Sequence, residues 1–462
     1  FAEGVYTLKN TTDTVIEEIH IQKLIEGNVA LESVTFEGGA LRDTQYATFD
    51  YYPYKLTQPL QSGDSIQMNF KQTYTTKGFE QGGSNTNMVY NGTFFNNNDF
   101  PTLGYNRKYE LQDDRDRNAY KLPPRSNKAR RDDPSALVNA QSGGDSDGIR
   151  FEIVMSTDKN QLAIAPGNLV KKWTTNNRNY FHYKMDVEMI NFYSMVSAQY
   201  EVKKDTWVST TDAASKPIDL EIYYHKEHTY NLDRMMKSMK ASLDYYSTQF
   251  SPYQYQQIRI FEFPRYAEFA QSFPGTVPFS EAIGFVLDID DETDVDMAFY
   301  VTAHELAHQW FGMQVEAANV QGRLMVLESL SQYAAMMVLK QHYSEAKVQQ
   351  FLELQKERYL EGKRRESGKE PSLALVENQK YVYYAKGAIN MYELQKQIGE
   401  KNVNLALKSF INDWNTTNGK LKMATDRYAT TEDLLGYFRR VTPDHQQDII
   451  TDLFEKVTSL EF

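Results

Sequence analysis

The chain of 462 residues is expected to fold as an α+β multidomain protein, with an amino-terminal β-sandwich-like domain over residues 1–217 and a mainly helical domain over residues 218–462. Three observations predict this. Apolar and polar residues alternate in several runs of the first half. Helical spacing takes over after Lys216-Pro217. The length is enough for two or three domains, each with its own core.

Taken in order, the runs near Val15 to Ile21 and Gln67 to Thr76 are rich in aromatic and β-branched residues and read as strands. Between Tyr105 and Gly148 lies a segment dense in Asp, Arg, Lys, Pro and Gly, including Arg130-Arg131-Asp132-Asp133 and Ser142-Gly143-Gly144-Asp145. Its charges alternate in sign, which predicts a long surface loop and not a binding patch. Ile149, Phe151, Ile153 and Met155 then alternate as a half-buried strand would. From Asn231, the residues Met235, Met236, Met239, Leu243 and Tyr246 recur at helical spacing, which predicts a core-packed helix. A strand over Gln257 to Phe263, a loop bearing Glu281, a helix bearing His304 and a helix bearing Glu328 follow. Helices over Gly387 to Ile398 and Val403 to Trp414 continue the helical part.

The most informative stretch is His304-Glu305-Leu306-Ala307-His308, followed after nineteen residues by Glu328. Histidines at i and i+4 project from one helix face and reach one metal ion. Zinc takes nitrogen and oxygen ligands tetrahedrally, and a catalytic site holds it with three protein groups. His304 and His308 are two of these. Met297, Val301, His304, His308 and Phe311 step by four, three, four and three residues, a stripe that turns both histidines inward, with Asp294 as the expected cap. Glu305 stands beside the pair as the general base that takes a proton from the attacking water. Glu328 is the one charged residue between Leu324 and Leu339, a run that reads as a buried helix. A buried carboxylate needs a partner, and a metal ion supplies one. The expected cofactor is one zinc ion held by His304, His308 and Glu328.

Other histidines are weaker candidates. His225 and His228 lie in a charged Tyr-His-Lys-Glu-His segment expected to be a solvated surface, and His20, His182, His342 and His445 lack neighbouring ligands in sequence. The chain has no glycine-rich phosphate loop, no Ser-His-Asp context and no internal repeat.

Composition narrows the partners. With no cysteine, disulfides play no part in stability. A net charge of −12, from 50 basic and 62 acidic residues, disfavours nucleic acid and anionic lipid as partners. No apolar run is long enough to cross a bilayer and no basic-then-apolar leader precedes Phe1, so the chain as given reads as soluble.

The residues His304 to Gly312, H-E-L-A-H-Q-W-F-G, resemble the signature of the aminopeptidase N and leukotriene hydrolase family of zinc metallopeptidases, the gluzincins. The resemblance implies a thermolysin-like catalytic domain and a peptide substrate. That family usually spaces its ligand glutamate by eighteen residues in an Asn-Glu-Gly context, whereas this chain has nineteen and Leu327-Glu328-Ser329. Thermolysin-like peptidases use the longer spacing. Tyr384-Ala385-Lys386-Gly387-Ala388 is similar to the family's Tyr-x-Lys-Gly-Ala segment, which implies that the Tyr384 hydroxyl donates to the oxyanion of the reaction. The family's Gly-x-Met-Glu-Asn strand, whose glutamate binds the substrate's free amino group, has no literal counterpart. Glu281, 23 residues before His304, stands where that glutamate falls. The run from Met189 to Val202 is similar to the closing strands of the family's amino-terminal domain, and the family's large carboxy-terminal helical domain has no room here.

The order of segments is most similar to a bacterial subgroup in which this module follows membrane-spanning segments of an ABC transporter-type permease, which implies a tether and a place on the extracytoplasmic side of the membrane. Two other readings stay open: a zinc endopeptidase or oligopeptidase using the same residues, and a peptide-binding module of a transporter complex without turnover.

Overall fold

The structure, a computed structural model, describes residues 1–25, 28–76, 86–106, 109–123, 128–142, 148–210, 216–366, 368–416 and 427–457. The chain divides into two compact units, Phe1–Ser126 and Asn127–Phe462.

The first unit is built from strands β1 (Ala2–Lys9), β2 (Ile16–Gln22), β3 (Asn28–Phe36), β4 (Ala40–Arg42), β5 (Tyr51–Leu60), β6 (Ser65–Thr75), β7 (Met88–Val89), β8 (Gly92–Asn96) and β9 (Thr102–Leu103). β6 lies between β1 and β3, and β2 lies between β5 and β9, all antiparallel. β2 and β6 are the strands expected near Val15 and Gln67. Along β6 the side chains of Ile66, Met68 and Phe70 are buried and their neighbours exposed, the period-two pattern of a sheet with one face on a core. That core gathers Ile21, Tyr54, Leu56 and Met68. A short helix, α1 (Asp114–Ala119), follows, capped by the Asp113 carboxylate.

The second unit begins where a surface loop was expected, and part of that expectation fails. Ala129 bridges to Val320 and Ala140 to Ala318, and Ala140 is buried with Val320 and Tyr428. Small apolar side chains in an otherwise charged run let the backbone close on the helical part, with a short helix, α2 (Pro134–Leu137), between them. Arg130 and Asp132 do remain exposed, paired with each other. Residues 143–147 lie outside the described residues.

β10 (Glu152–Asp158), β12 (Asn168–Thr175) and β13 (Arg178–Lys184) form an antiparallel sheet with β13 central, and β11 (Leu162–Ile164) pairs with β14 (Ser194–Ala198). The sheet that matters for chemistry runs β15 (Glu201–Trp207), β16 (Ile218–Tyr224), β17 (Gln257–Phe263), β18 (Thr276–Ser280), with the last three parallel. β17 is buried along its whole length, as strands covered on both faces are. The expected domain boundary at 217 falls between β15 and β16, two paired strands of this sheet.

Between β16 and β17 the chain crosses over through α3 (Leu232–Gln249), whose Met235, Met236, Met239, Leu243 and Tyr246 are all buried as their spacing predicted. Then come α4 (Met297–Ala307), α5 (Leu330–His342), α6 (Glu345–Arg365), α7 (Gly387–Ile398), α8 (Glu400–Trp414) and α9 (Thr431–Val441). Hydroxyls on α3 set the height of α4: Ser238 Oγ donates to the Phe299 carbonyl (2.6 Å) and the Tyr246 hydroxyl to that of Ala303 (2.9 Å). The α+β class is therefore as expected, sheet-rich first and helical afterwards.

Candidate metal centre

α4 starts two residues later than expected. Its cap is Asp296, whose carboxylate accepts the Phe299 N–H at 2.8 Å; Asp294 instead accepts the N–H of Asp290 within the preceding turn. The helix ends at Ala307, so His304 stands in its last turn and His308 at its C-cap. The rest of the nine-residue motif anchors this end. The Gln309 side chain donates to Ser272 Oγ (2.5 Å) and the Phe273 carbonyl (2.9 Å) and accepts the Gly275 N–H (3.0 Å), which fastens it to the approach to β18. Trp310 is fully buried, and its indole donates to the Ser251 carbonyl at 2.8 Å.

The imidazoles of His304 and His308 face each other with Nε2 atoms 3.2 Å apart, and each Nε2 is 3.3 Å from Glu328 Oε2. Tetrahedral bonds of about 2.0 Å to zinc place neighbouring ligand atoms about 3.3 Å apart, so this triangle has the edge length that the ion requires. The donor set, two imidazole nitrogens and a carboxylate oxygen, is that of catalytic zinc sites. The residues present fit the metal. His308 is held for it: its Nδ1–H donates to the Phe311 carbonyl at 3.1 Å, with Ser331 Oγ also 3.1 Å from that nitrogen, which leaves Nε2 free to coordinate.

Glu328 arrives on a π-helical turn, Met325–Ser329, that leads into α5. A π turn accommodates one more residue than an α turn, and such turns concentrate at functional sites. A second π turn, Tyr381–Lys386, carries Tyr384 into α7. The two turns touch. Ser329 Oγ donates to the Tyr383 carbonyl at 2.6 Å, and a Cβ at Gly387 would lie 2.3 Å from Ser329 Oγ. Glycine is required there for the turns to meet.

The Tyr384 ring lies 6.0 Å from that of His304, and its hydroxyl reaches Glu328. Tyr383 packs on it, and Tyr381 lines the same cavity from the side. The cavity measures about 940 Å³ and is lined by Val301, His304, Glu305, Tyr384, Met297 and Ile283 among others.

The carboxylates are tuned in opposite directions. Burial pushes the Glu305 carboxyl up, against the nearby imidazoles. Burial would also raise that of Glu328, but the charge of His308 and the close approach of both imidazoles hold it far below the usual carboxylate range. Burial alone would lower the His308 imidazole, yet the Glu328 charge and hydrogen bond push it up to about 9. Burial, then the Glu328 charge, keeps the Tyr384 hydroxyl protonated. Of these groups, Glu305, raised by burial, is the one placed for acid–base work.

Glu281 sits in the first turn after β18, just ahead of Ala282 and Ile283, which line the cavity. Its carboxylate accepts the Arg265 N–H at 3.1 Å and lies 3.7 Å from His228 Nδ1. His225 and His228 are thus not the solvated pair expected: with Glu262 and Glu281 they form a second ligand-bearing cluster. Glu262 lies in the run Ile258 to Phe263, but Arg259 shares that run, so the lone-charge signal that singled out Glu328 was absent. His20 and His182 each face one carboxylate, Glu18 and Glu152, and no further metal cluster assembles among the described residues.

The donor set and its place in the fold fit a zinc site. Residues 230–436 match the Peptidase family M1 domain, so this part of the chain carries that domain. No curated protein sequence matches the chain. Among solved structures, it is similar to an M1 zinc metallopeptidase from Deinococcus radiodurans, with a TM-score of 0.64 at 14% identity over 99% of this chain and 90% of that one. It is also similar to a variant of an M1 zinc metallopeptidase from Deinococcus radiodurans bound to the substrate Tyr-Ser-Ala (TM-score 0.61, 13% identity, 98% and 89% covered). A two-domain M1 zinc metallopeptidase variant bound to L-tryptophan gives 0.64 at 13% identity, with 99% and 91% covered.

Proposed function

We propose that this chain is a zinc-dependent aminopeptidase that removes amino-terminal residues from peptides. The observation that carries the reading is the 3.2–3.3 Å triangle of His304, His308 and Glu328 with Glu305 and Tyr384 at its rim. One zinc ion held there supplies a Lewis acid that polarises the scissile carbonyl and activates water at neutral pH. Glu305, buried beside the pair, takes the proton from the attacking water and passes it to the leaving amine. Tyr384 donates to the oxygen on which negative charge develops. Glu281 is assigned the substrate's amino group, on its place in the chain and its position next to cavity-lining residues; residues 218–462 are the part assigned the chemistry.

Glu305→Gln is expected to lower turnover by about 10²- to 10⁴-fold with zinc content unchanged; retained hydrolysis would remove Glu305 from its role. The wild-type protein should release single residues from peptides with free amino termini and spare acetylated ones. Cleavage of acetylated peptides would favour the endopeptidase reading, and bound zinc with no turnover the binding module.

A tether to permease segments and an extracytoplasmic site are kept in this proposal on the order of segments alone. No helix among the described residues is long and apolar enough to cross a membrane. Fractionation of cells expressing the native gene, with protease added outside, tests both.

A further inference from the structure

The carboxyl ends of three adjacent parallel strands bring a second set of donors together. His225 follows β16 directly, with His228 three residues on; Glu262 is the penultimate residue of β17; Glu281 follows β18. In open parallel sheets this edge is where ligands bind, because neighbouring strands deliver side chains to one point. Here four side chains each offer one nitrogen or oxygen within 4.8 Å of the others.

Glu262 is the centre of the group and is 0% exposed. One of its oxygens accepts the His225 backbone N–H at 2.6 Å. The other accepts from His228 Nδ1 and lies 3.5 Å from His225 Nδ1. Tyr200 stacks on the His225 ring at 5.5 Å and 8° and donates its hydroxyl to the Glu262 carbonyl at 2.6 Å, which holds the ring and the strand together. A second carboxylate, Glu281, approaches His228 Nδ1 to 3.7 Å. Two carboxylates and two imidazoles meet at one point with one carboxylate wholly out of water, and a shared cation lowers the cost of that burial. Imidazole with carboxylate suits zinc and its first-row divalent neighbours. The donors are spaced more widely than in the His304 triangle, and His228 and Glu281, at 27% and 15% side-chain exposure, have room to rotate inward.

We propose that His225, His228, Glu262 and Glu281 form a second binding site for a first-row divalent metal ion, weaker than the site of His304, His308 and Glu328. The site does not rest on the aminopeptidase reading. One consequence does: a metal that engages Glu281 withdraws it from a substrate amine, so filling the second site inhibits cleavage while the first metal stays bound.

The test is zinc stoichiometry and titration on the full chain, by elemental analysis and calorimetry. Two equivalents are expected for the wild type, and one tight equivalent for His228→Ala and for Glu281→Gln, both partly exposed positions whose replacement spares the core. His304→Ala with His308→Ala should lose the tight equivalent and keep the weak one. A single equivalent in the wild type, or a weak equivalent unchanged in both His228→Ala and Glu281→Gln, overturns the site and leaves the cluster as an ion pair. These readouts need no activity, so failure of the peptidase reading is seen separately.

Discussion

Tyr384 is distinguished from its neighbours by what surrounds its oxygen. Tyr383 packs on the Tyr384 ring and offers its backbone carbonyl to Ser329, and Tyr381 lines the cavity wall, while the Tyr384 ring lies 6.0 Å from that of His304 and its hydroxyl reaches Glu328. A hydroxyl that stays protonated and is held in place contributes to the transition state more than to substrate binding. Tyr384→Phe is expected to reduce kcat by about 10²- to 10³-fold with a small change in KM; Tyr381→Phe should change kcat little. Steady-state kinetics on one free-amine peptide decide it, and equal losses in both variants would contradict the assignment. Ser329 and Gly387 can be read together. The Cβ of Gly387→Ala would lie 2.7 Å from Ser329 Cβ as well as 2.3 Å from its Oγ, so the variant should destabilise by about 1–3 kcal/mol, the ordinary cost of overpacking. In a Ser329→Gly background the same substitution should cost clearly less. Denaturant unfolding of the four proteins measures the coupling, and additivity would show that the two turns do not meet there.

At the scale of elements, the π turn that carries Tyr384 is fixed by a buried charge. Lys386, 0% exposed, donates to Glu370 Oε1 at 2.6 Å, and the Tyr359 hydroxyl of α6 donates to the same carboxylate at 2.9 Å. Burial opposes ionisation of Glu370, but the Lys386 hydrogen bond and charge outweigh it and hold the carboxyl below the usual range. The sign follows. With its folded value depressed, Glu370 adds stability that is fully present above the unfolded value of about 4.3 and is lost as pH falls through the folded value. Glu370→Gln should therefore cost about 3–5 kcal/mol at neutral pH, the penalty of breaking a buried pair, and the deficit should shrink toward acid. Chemical denaturation at pH 7 and at about pH 2–3, well below the unfolded value, checks this; a deficit that does not shrink toward acid would mean that it does not come from the ionised pair. The pair also shows what a one-dimensional reading reaches. Lys386 was legible as part of the Tyr-Ala-Lys-Gly-Ala register, but Glu370, sixteen residues earlier in a polar stretch, carried no periodicity to give it away. His304, His308 and Glu328 were legible because helical spacing and a lone charge in an apolar run are local properties. The meeting of Glu262 with His225 and His228 depends on strand order, and no run of the chain encodes that by itself. The small alanines of the 129–140 segment were obscured by the charges around them.

For the molecule as a whole, the division into units 1–126 and 127–462 sets how metal and stability are linked. The first unit keeps its own core of Ile21, Tyr54 and Met68 between antiparallel strands. Every ligand assigned to zinc lies in the second, whose core runs through α3, α4, α5 and α7. A ligand stabilises only the cooperative unit whose native state it binds. At free zinc a hundred times the dissociation constant, binding adds about 2.7 kcal/mol to that unit, which for a unit of this size raises its midpoint by roughly a few degrees. Scanning calorimetry of the full chain should accordingly show two transitions, one that moves upward with zinc and downward with a chelator and one that does not move. His304→Ala with His308→Ala should abolish most of the zinc response and leave the insensitive transition in place. If zinc shifts both transitions together, the two units unfold as one, and the metal reports on the whole chain instead of on the part that carries the chemistry.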